Sequence, residues 1–401
     1  MRSLLERDLG AYPVVAVVGA RQVGKSTLCR ELAEERGMAR LSLDNQDTRQ
    51  QAVEDPSGLL ASAGDNGAFI DEIQRAPGLF LAIKAVVDRH PSRPAQYLLS
   101  GSAQTELTAA TGDSLLGRAA YRTLRPLTLG ELRYQDAHTG WSFLFDGDDE
   151  AALTELKGRA ELGGALDWKE SVAVGGFPRV VSLLPDARAD QLNQYLRVFA
   201  TRDIRELVNV ASSGQFERFL RLVGVRTGQE LNLNGMAGEL GLKVPTLRRW
   251  FGAMEDAFLV ERIPPWSGNL GNRLIKSPKV FMVDSALALA AARSDEPTGF
   301  HLENLLATDM RVWQELASNR RAVHHWRIAN GPEVDFVLEE SGKLVAVEVK
   351  ASAEVDQREA RHLKRFRSEY GATARLLLVS SDPRIRVLEP GLIAAPWWAV
   401  V

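Results

Sequence analysis

Residues 19 to 26, Gly19-Ala20-Arg21-Gln22-Val23-Gly24-Lys25-Ser26, satisfy GxxxxGK[ST] at every fixed position. Each residue type has a chemical reason. The glycines let backbone N–H groups turn inward around phosphate oxygens, and the start of a following helix favours negative charge. Lys25 is spaced to reach β- and γ-phosphates, and the Ser26 hydroxyl to ligate Mg²⁺. Ala20, Arg21, Gln22, Val23 and Thr27 complete the cradle. Asp71-Glu72 ends the apolar run Ala68-Phe69-Ile70. An aspartate there can hold Mg²⁺ through its water shell. Glu72 is then placed to take a proton from an attacking water. Ser100 or Ser102, at the tip of another apolar run, could watch the γ-phosphate; serines in a tight turn fit the same residues. Arg118, after Gly117, could cross a subunit interface to neutralise charge in phosphoryl transfer. A plain surface arginine is the alternative.

A second constellation lies near the C-terminus. Val334 to Glu339 and Leu344 to Lys350 read as strands around Ser341-Gly342. A two-residue turn would place Glu340 opposite Lys343. Continued register sets Asp335 opposite Glu348 and Glu333 opposite Lys350. Side chains alternate, so Glu333, Asp335, Glu348 and Lys350 are expected on one face. Val334, Phe336, Leu338, Val345, Val347 and Val349 are expected on the other. Opposed carboxylates can make a divalent-cation site, and a neighbouring lysine can position water. A one-residue bulge would break this alignment. A salt-bridged sheet face, with Lys350 neutralising Glu333 and Glu348, is the alternative.

These groups need elements to hold them. Val14 to Val18 is an unbroken apolar run, as in a buried parallel strand. Leu28 to Arg36 reads as a helix. Arg40–Leu43, Ala68–Ile70, Tyr97–Leu99 and Tyr121–Leu127 read as further strands with helices between, which implies a parallel sheet covered on both faces. Residues 130 to 166 are weakly patterned, and DGDDE at 146 to 150 reads as a solvated loop. Gly175-Gly176-Phe177-Pro178 reads as a turn. Residues 216 to 262 suggest a compact helical unit. Within it, Met236–Leu240, the turn Gly241-Leu242-Lys243 and a helix from Val244 to about Phe258 form a helix-turn-helix pattern. Thr246 is a candidate cap for the second helix, with Pro245 in its first turn as the alternative. Lys243, Arg248 and Arg249 suit phosphates or guanine edges. Leu259–Ile263 and Lys279–Val283 are candidate wing strands, with Arg273, Lys276 and Lys279 on or beside the wing. Trp250 and Phe251 are expected in the core. A protein-docking role fits the same helices.

The bulk numbers bound the partners. The chain has 401 residues, 45% hydrophobic and 25% charged, with formal net charge -3. No chain-wide basic field attracts nucleic acid, so any DNA-binding surface must be local. One cysteine, Cys29, cannot build a disulfide frame. The opening MRSLLERDLG does not read as an export signal, and the apolar stretch Ser285 to Ala292 is far short of the ~20 residues needed to span a bilayer. A cytoplasmic protein with no membrane attachment is expected.

GARQVGKST, FIDEIQ, LLSGSA and LLGRAAYRTLRPLTLGEL resemble the signature run of prokaryotic AAA-superfamily ATPases that carry a winged helix and a nuclease-like C-terminal domain. The resemblance implies an α/β fold: a P-loop parallel sheet, then a helical and winged-helix region, then a restriction-endonuclease-like α/β domain. The corresponding segments are 1–135, 136–215 as a helical connector or lid, 216–290 and 291–401. It implies ATP and Mg²⁺ at Lys25, Ser26, Asp71 and Glu72, Arg118 as an arginine finger, and a homo-oligomer. Gly176-Phe177-Pro178 is similar to a GxP element whose proline lies near the nucleotide. The D…ExK pattern of Asp335, Glu348 and Lys350 resembles PD-(D/E)xK nucleases, with a helix from Glu354 to Tyr370 and the strand Leu376–Ser380 as its continuation. Glu303 is similar to the upstream acid of that fold, while Glu333 replaces the proline of the pattern. The function implied is an ATP-hydrolysing machine or switch on duplex or branched DNA. The alternatives are a nucleotide-sensing scaffold for a protein partner and an ATP-regulated metal-dependent nuclease.

Overall fold

The computed structural model describes residues 1–102, 115, 117–133, 140–164, 166–208, 210, 212–268, 277–317, 320–328, 331–371 and 374–401. The chain divides into two compact units. The first comprises Met1–Arg125 with Met254–Leu259, and the second Pro126–Ala253 with Val260–Val401.

Five strands make the sheet of the first unit: β1 (Val14–Val18), β2 (Ala39–Ser42), β3 (Ala68–Asp71), β4 (Tyr97–Gly101) and β5 (Ala119–Thr123). Their order is β2-β3-β4-β1-β5, and every pairing is parallel. All five residues of β1 are buried because both faces are covered. Val14, Ala16 and Val18 pack with Ile70, Leu79 and Ile83 on one side. Val15 and Val17 pack with Cys29, Leu32 and Ala33 on the other. Those last three residues line the inner face of the helix Lys25–Glu35, which begins three residues earlier than the expected Leu28. Burial pushes the Cys29 thiol up to about 12. The fifth strand ends at Thr123 rather than Leu127, and the Leu124 N–H still bonds the Val18 carbonyl at 2.7 Å.

In the second unit, the helices Ser213–Val225 and Leu233–Leu240 precede Val244–Asp256, which crosses the division between the units. Trp250 meets Phe216 edge-on at 5.5 Å, and both Trp250 and Phe251 are buried as expected. Pro245 does occupy the first turn of its helix, so Thr246 lies inside and is not the cap. Two strands, β6 (Val260–Ile263) and β7 (Lys279–Met282), pair antiparallel. Arg273 and Lys276 lie outside the described residues.

The larger sheet follows, made of β8 (Arg321–Arg327), β9 (Glu333–Glu340), β10 (Lys343–Val349), β11 (Ala374–Ser380), β12 (Arg386–Glu389) and β13 (Leu392–Pro396). Its order is β12-β13-β11-β10-β9-β8. Ser341 (φ 52°) and Gly342 (φ 83°) make the two-residue turn with both residues left-handed, and Lys343 pairs with Glu340 as expected. Phe336, Leu338, Val345 and Val347 pack under the helix Gly299–Glu315. Trp141, Leu144 and Leu156 join that same core, so this part of the expected connector belongs structurally with the C-terminal sheet. The DGDDE segment starts a helix instead of remaining a loop: Asp148 caps Asp149–Gly163, with Asp149 and Glu150 in its first turn.

Two further expectations are corrected. The helix over 354–370 covers only Arg361–Tyr370. Upstream, the Asp356 side chain accepts from the Arg358 N–H at 2.6 Å, a local turn that competes with helix. The β8–β9 ladder also shifts register between His324 and Trp326. Beyond that irregularity Val334 packs with Trp326, Val337 and Ala346, not with Phe336 and Leu338. The single-face alternation expected for β9 therefore fails at its N-terminal end.

Candidate functional site

The first site forms where β1, β3 and β4 end together. Gly19 leaves β1 with φ 148°, and a Cβ there would lie 2.1 Å from the Leu124 carbonyl oxygen, so no larger residue fits. Gly24 caps the next helix in a left-handed conformation, φ 99°. Gln22 is also left-handed, φ 67°, while Ala20 and Val23 are buried anchors. Arg21 is partly exposed, Ser26 is half-buried and Thr27 is exposed on the first turn of the helix.

Lys25 is 5% exposed and donates to the Gly19 and Ala20 carbonyls at 2.9 and 2.8 Å. Burial pushes its amine down to about 8, although Glu72 and Asp71 pull the other way. Ser26 Oγ donates to Asp71 Oδ1 at 2.9 Å, and Ser100 Oγ donates to the same oxygen. The parallel register explains this meeting. Strand β4 lies between β1 and β3, setting Ser100 beside Val17 and Leu99 beside Ile70. Ser102 instead reaches Glu72 Oε2, at 3.2 Å. Gln74 was not singled out by its spacing, yet its amide donates to that same oxygen and to Ser102 Oγ. Its place two residues after Glu72 in FIDEIQ was the available signal.

Ser26 and Asp71 present adjacent hard oxygen donors, a set that fits Mg²⁺ delivered with a nucleotide. Arg118 forms an ion pair with Asp88 at 2.5 Å. Pro178 opens the short helix Pro178–Val181 of the second unit. The preceding Gly176 N–H donates to Asp284 at 2.6 Å. Asp284 is itself pushed up to about 6 by burial, against the hydrogen bonds it accepts. Lys243, Arg248 and Arg249 are all exposed.

The C-terminal cluster assembles, with an addition. Glu303 from the helix Gly299–Glu315 meets Asp335 around a shared cation, but that cation is Lys279. Its ammonium lies 2.7 Å from Glu333, 3.1 Å from Asp335 and 3.3 Å from Glu303. Lys279 is 2% exposed, so its expected place beside a DNA-binding wing is corrected: it points into the protein from β7. Burial alone would push its ammonium down. The charges of Glu303, Asp335 and Glu333 outweigh burial and hold it well above the usual lysine range. Asp335 Oδ2 also accepts from the Val349 N–H at 2.9 Å. Lys350 pairs with Glu348 Oε1 at 2.5 Å, leaving Glu348 Oε2 buried without a partner among the described residues. Burial, reinforced by Asp335, raises both Glu303 and Glu348. Because Lys279 binds the facing oxygens of Glu303 and Asp335, this arrangement does not fit a divalent cation. Among the described residues, no group of three or more His, Cys, Asp or Glu is arranged to hold a metal.

Residues 11–133 match the AAA domain family. Residues 165–298 and 298–400 match two domains of unknown function, DUF8612 and DUF4143. Uncharacterized protein Rv2008c of Mycobacterium tuberculosis and uncharacterized protein Mb2031c of Mycobacterium bovis are each 29% identical over 363 residues, spanning 87% of this chain and 73% of theirs. Among solved structures, the Walker-type ATPase paby2304 of Pyrococcus abyssi aligns with TM-score 0.41 and 15% identity, over 72% of this chain and 94% of that one. Residues 11–133, which carry this loop, are thus similar to AAA-type P-loop domains.

Proposed function

We propose that the protein binds and hydrolyses ATP, and couples the nucleotide cycle to DNA through its helix-turn-helix region. The observation carrying the first half is the convergence of the Ser26 and Ser100 hydroxyls on Asp71, with Glu72 beside them and Lys25 buried in the loop. In this reading Lys25 neutralises the β- and γ-phosphates, while Ser26 and Asp71 hold Mg²⁺, which offsets charge on the transferred group. Glu72 takes the proton of the attacking water. Ser100 and Ser102 brace the two acids.

The DNA half is supported by the exposed Lys243, Arg248 and Arg249, two on the second helix of the pattern and one before it. Among the described residues these charges are few, so binding should be modest and salt-dependent. Arg118 is proposed to act across a subunit interface, exchanging its Asp88 contact for a neighbour's nucleotide. No helix among the described residues is long and apolar enough to cross a membrane.

The test is ATP turnover by the parent and by Glu72→Gln, each with and without duplex DNA. DNA-stimulated turnover that disappears in Glu72→Gln supports the reading. Turnover indifferent to DNA favours a switch directed at a protein partner. Mg²⁺-dependent nicking lost in Asp335→Ala and Lys350→Ala would restore the nuclease alternative.

A further inference from the structure

Glu72 leaves β3 with a left-handed backbone, φ 56°, which turns its side chain toward the tip of β4. Two groups hold its carboxylate. The Gln74 amide donates to Glu72 Oε2 and, at 3.1 Å, to Ser102 Oγ; Ser102 Oγ reaches the same Oε2 at 3.2 Å. A carboxylate only accepts, so the end of Gln74 facing it must be the NH₂ group. Its carbonyl oxygen is thereby the free end. That Gln74 Oε1 is buried and has no hydrogen-bond partner among the described residues. The bonds to Glu72 all fall on Oε2, so among the described residues its Oε1 also accepts none.

Buried polar atoms are rarely left unpaired, and exceptions mark places where a water, an ion or a catalytic role completes the bond. Here two open acceptors sit on hydrogen-bonded neighbours at the site of phosphoryl transfer. Water has two hydrogens to give.

We propose that Gln74 is a further catalytic residue: its carbonyl oxygen orients the water that attacks the γ-phosphorus, and Glu72 deprotonates that water. The proposal rests on the ATPase reading. In the step, one water hydrogen bonds to Gln74 Oε1 and the other passes as a proton to Glu72 Oε1. The water oxygen forms a bond to phosphorus as the bond from phosphorus to the β–γ bridging oxygen breaks. The bond's electron pair leaves with ADP, and the Gln74 amide is unchanged. Ser102 only braces this pair.

The experiment compares the parent, Glu72→Gln, Gln74→Ala, Gln74→Asn and Ser102→Ala by ATP affinity and by single-turnover rate with Mg²⁺. In Gln74→Ala the rate should fall about 10²-fold, the low end for positioned proton-transfer partners. ATP affinity should stay within about threefold, since a group that touches only the attacking water adds little to ground-state binding. Ser102→Ala should lose less, and Gln74→Asn, one methylene shorter, should not restore the rate. In a Glu72→Ala background, Gln74→Ala should still slow the residual rate, because a residue touching the water acts independently of the base. Gln74→Ala turning over like the parent would overturn the proposal. So would an equal loss of affinity and rate, or no added effect once Glu72 is gone. A parent that does not hydrolyse ATP would instead overturn the ATPase reading and this step with it, an outcome recognisable before any Gln74 variant is compared.

Discussion

Lys25 and Lys279 are both almost fully buried, yet their surroundings treat their charge in opposite ways. Lys25 bonds two carbonyls of its own loop and has no carboxylate in direct contact among the described residues; burial pushes it down to about 8. Lys279 touches three carboxylates, which hold it protonated in spite of burial. An ammonium with no carboxylate touching it is ready to accept an anion from outside, as a phosphate-binding group must be. An ammonium already matched by carboxylates has no such capacity and serves to join β7 to β9 and to the helix Gly299–Glu315. Burial of a lysine is therefore no guide to function until its partners are counted.

The largest effect should come from breaking the matched lysine. Lys279→Ala leaves Glu303, Glu333 and Asp335 facing each other without their cation, a loss of about 3–5 kcal/mol in chemical unfolding of the second unit. The deficit should shrink at acidic pH, because burial already raises Glu303 and it takes up a proton there. Equal loss at pH 5 and pH 8 would break the comparison. At the unmatched lysine, Lys25→Ala should reduce ATP affinity by at least about tenfold, measured by calorimetry, while moving the unfolding midpoint little; the lost carbonyl bonds are offset by relief of a buried charge.

The titration of Lys25 sharpens the contrast. Its folded value lies below the unfolded one, so the charge burial that opposes folding is fully felt below about pH 8 and fades as pH rises toward 10.5. ATP prefers the protonated amine. Affinity should therefore decline once pH passes about 8, by up to about tenfold per pH unit, with proton uptake seen when buffers of different ionisation enthalpy are compared. Affinity flat from pH 7 to 9 would mean that Lys25 is not the titrating group. The smallest effect is expected at Arg118→Ala, whose pair with Asp88 is partly exposed and should contribute no more than about 1 kcal/mol to thermal stability. A clear drop in turnover with unchanged stability would mark it as acting on a neighbouring subunit.

Much of this was legible where the signal is local. The loop Gly19–Ser26, the acidic pair Asp71-Glu72 and the Ser341-Gly342 hairpin each lie within a short window, and backbone conformation follows from residue type there. What escaped depends on distant segments. Lys279 is 24 residues from Glu303 and 56 from Asp335, and its charge suggested a solvent-facing wing. Gln74 was visible in FIDEIQ, but its role follows from Ser102, 28 residues on and a strand away. The face of Val334 could not be read by alternation because the β8–β9 ladder slips beside it. The association of Trp141, Leu144 and Leu156 with the C-terminal sheet requires packing between segments that no local pattern links.

The lone thiol has a practical consequence. Cys29 is sealed between the loop helix and the first sheet, and its high proton affinity leaves almost no thiolate at neutral pH. Alkylating reagents should pass it by in the native protein, so a single cysteine introduced on the surface would carry a fluorophore or spin label alone. The same silence makes Cys29 a built-in clock. The rate at which it becomes modified reports how often the helix behind the phosphate loop lifts from its sheet, and bound nucleotide should slow that clock without any label at all.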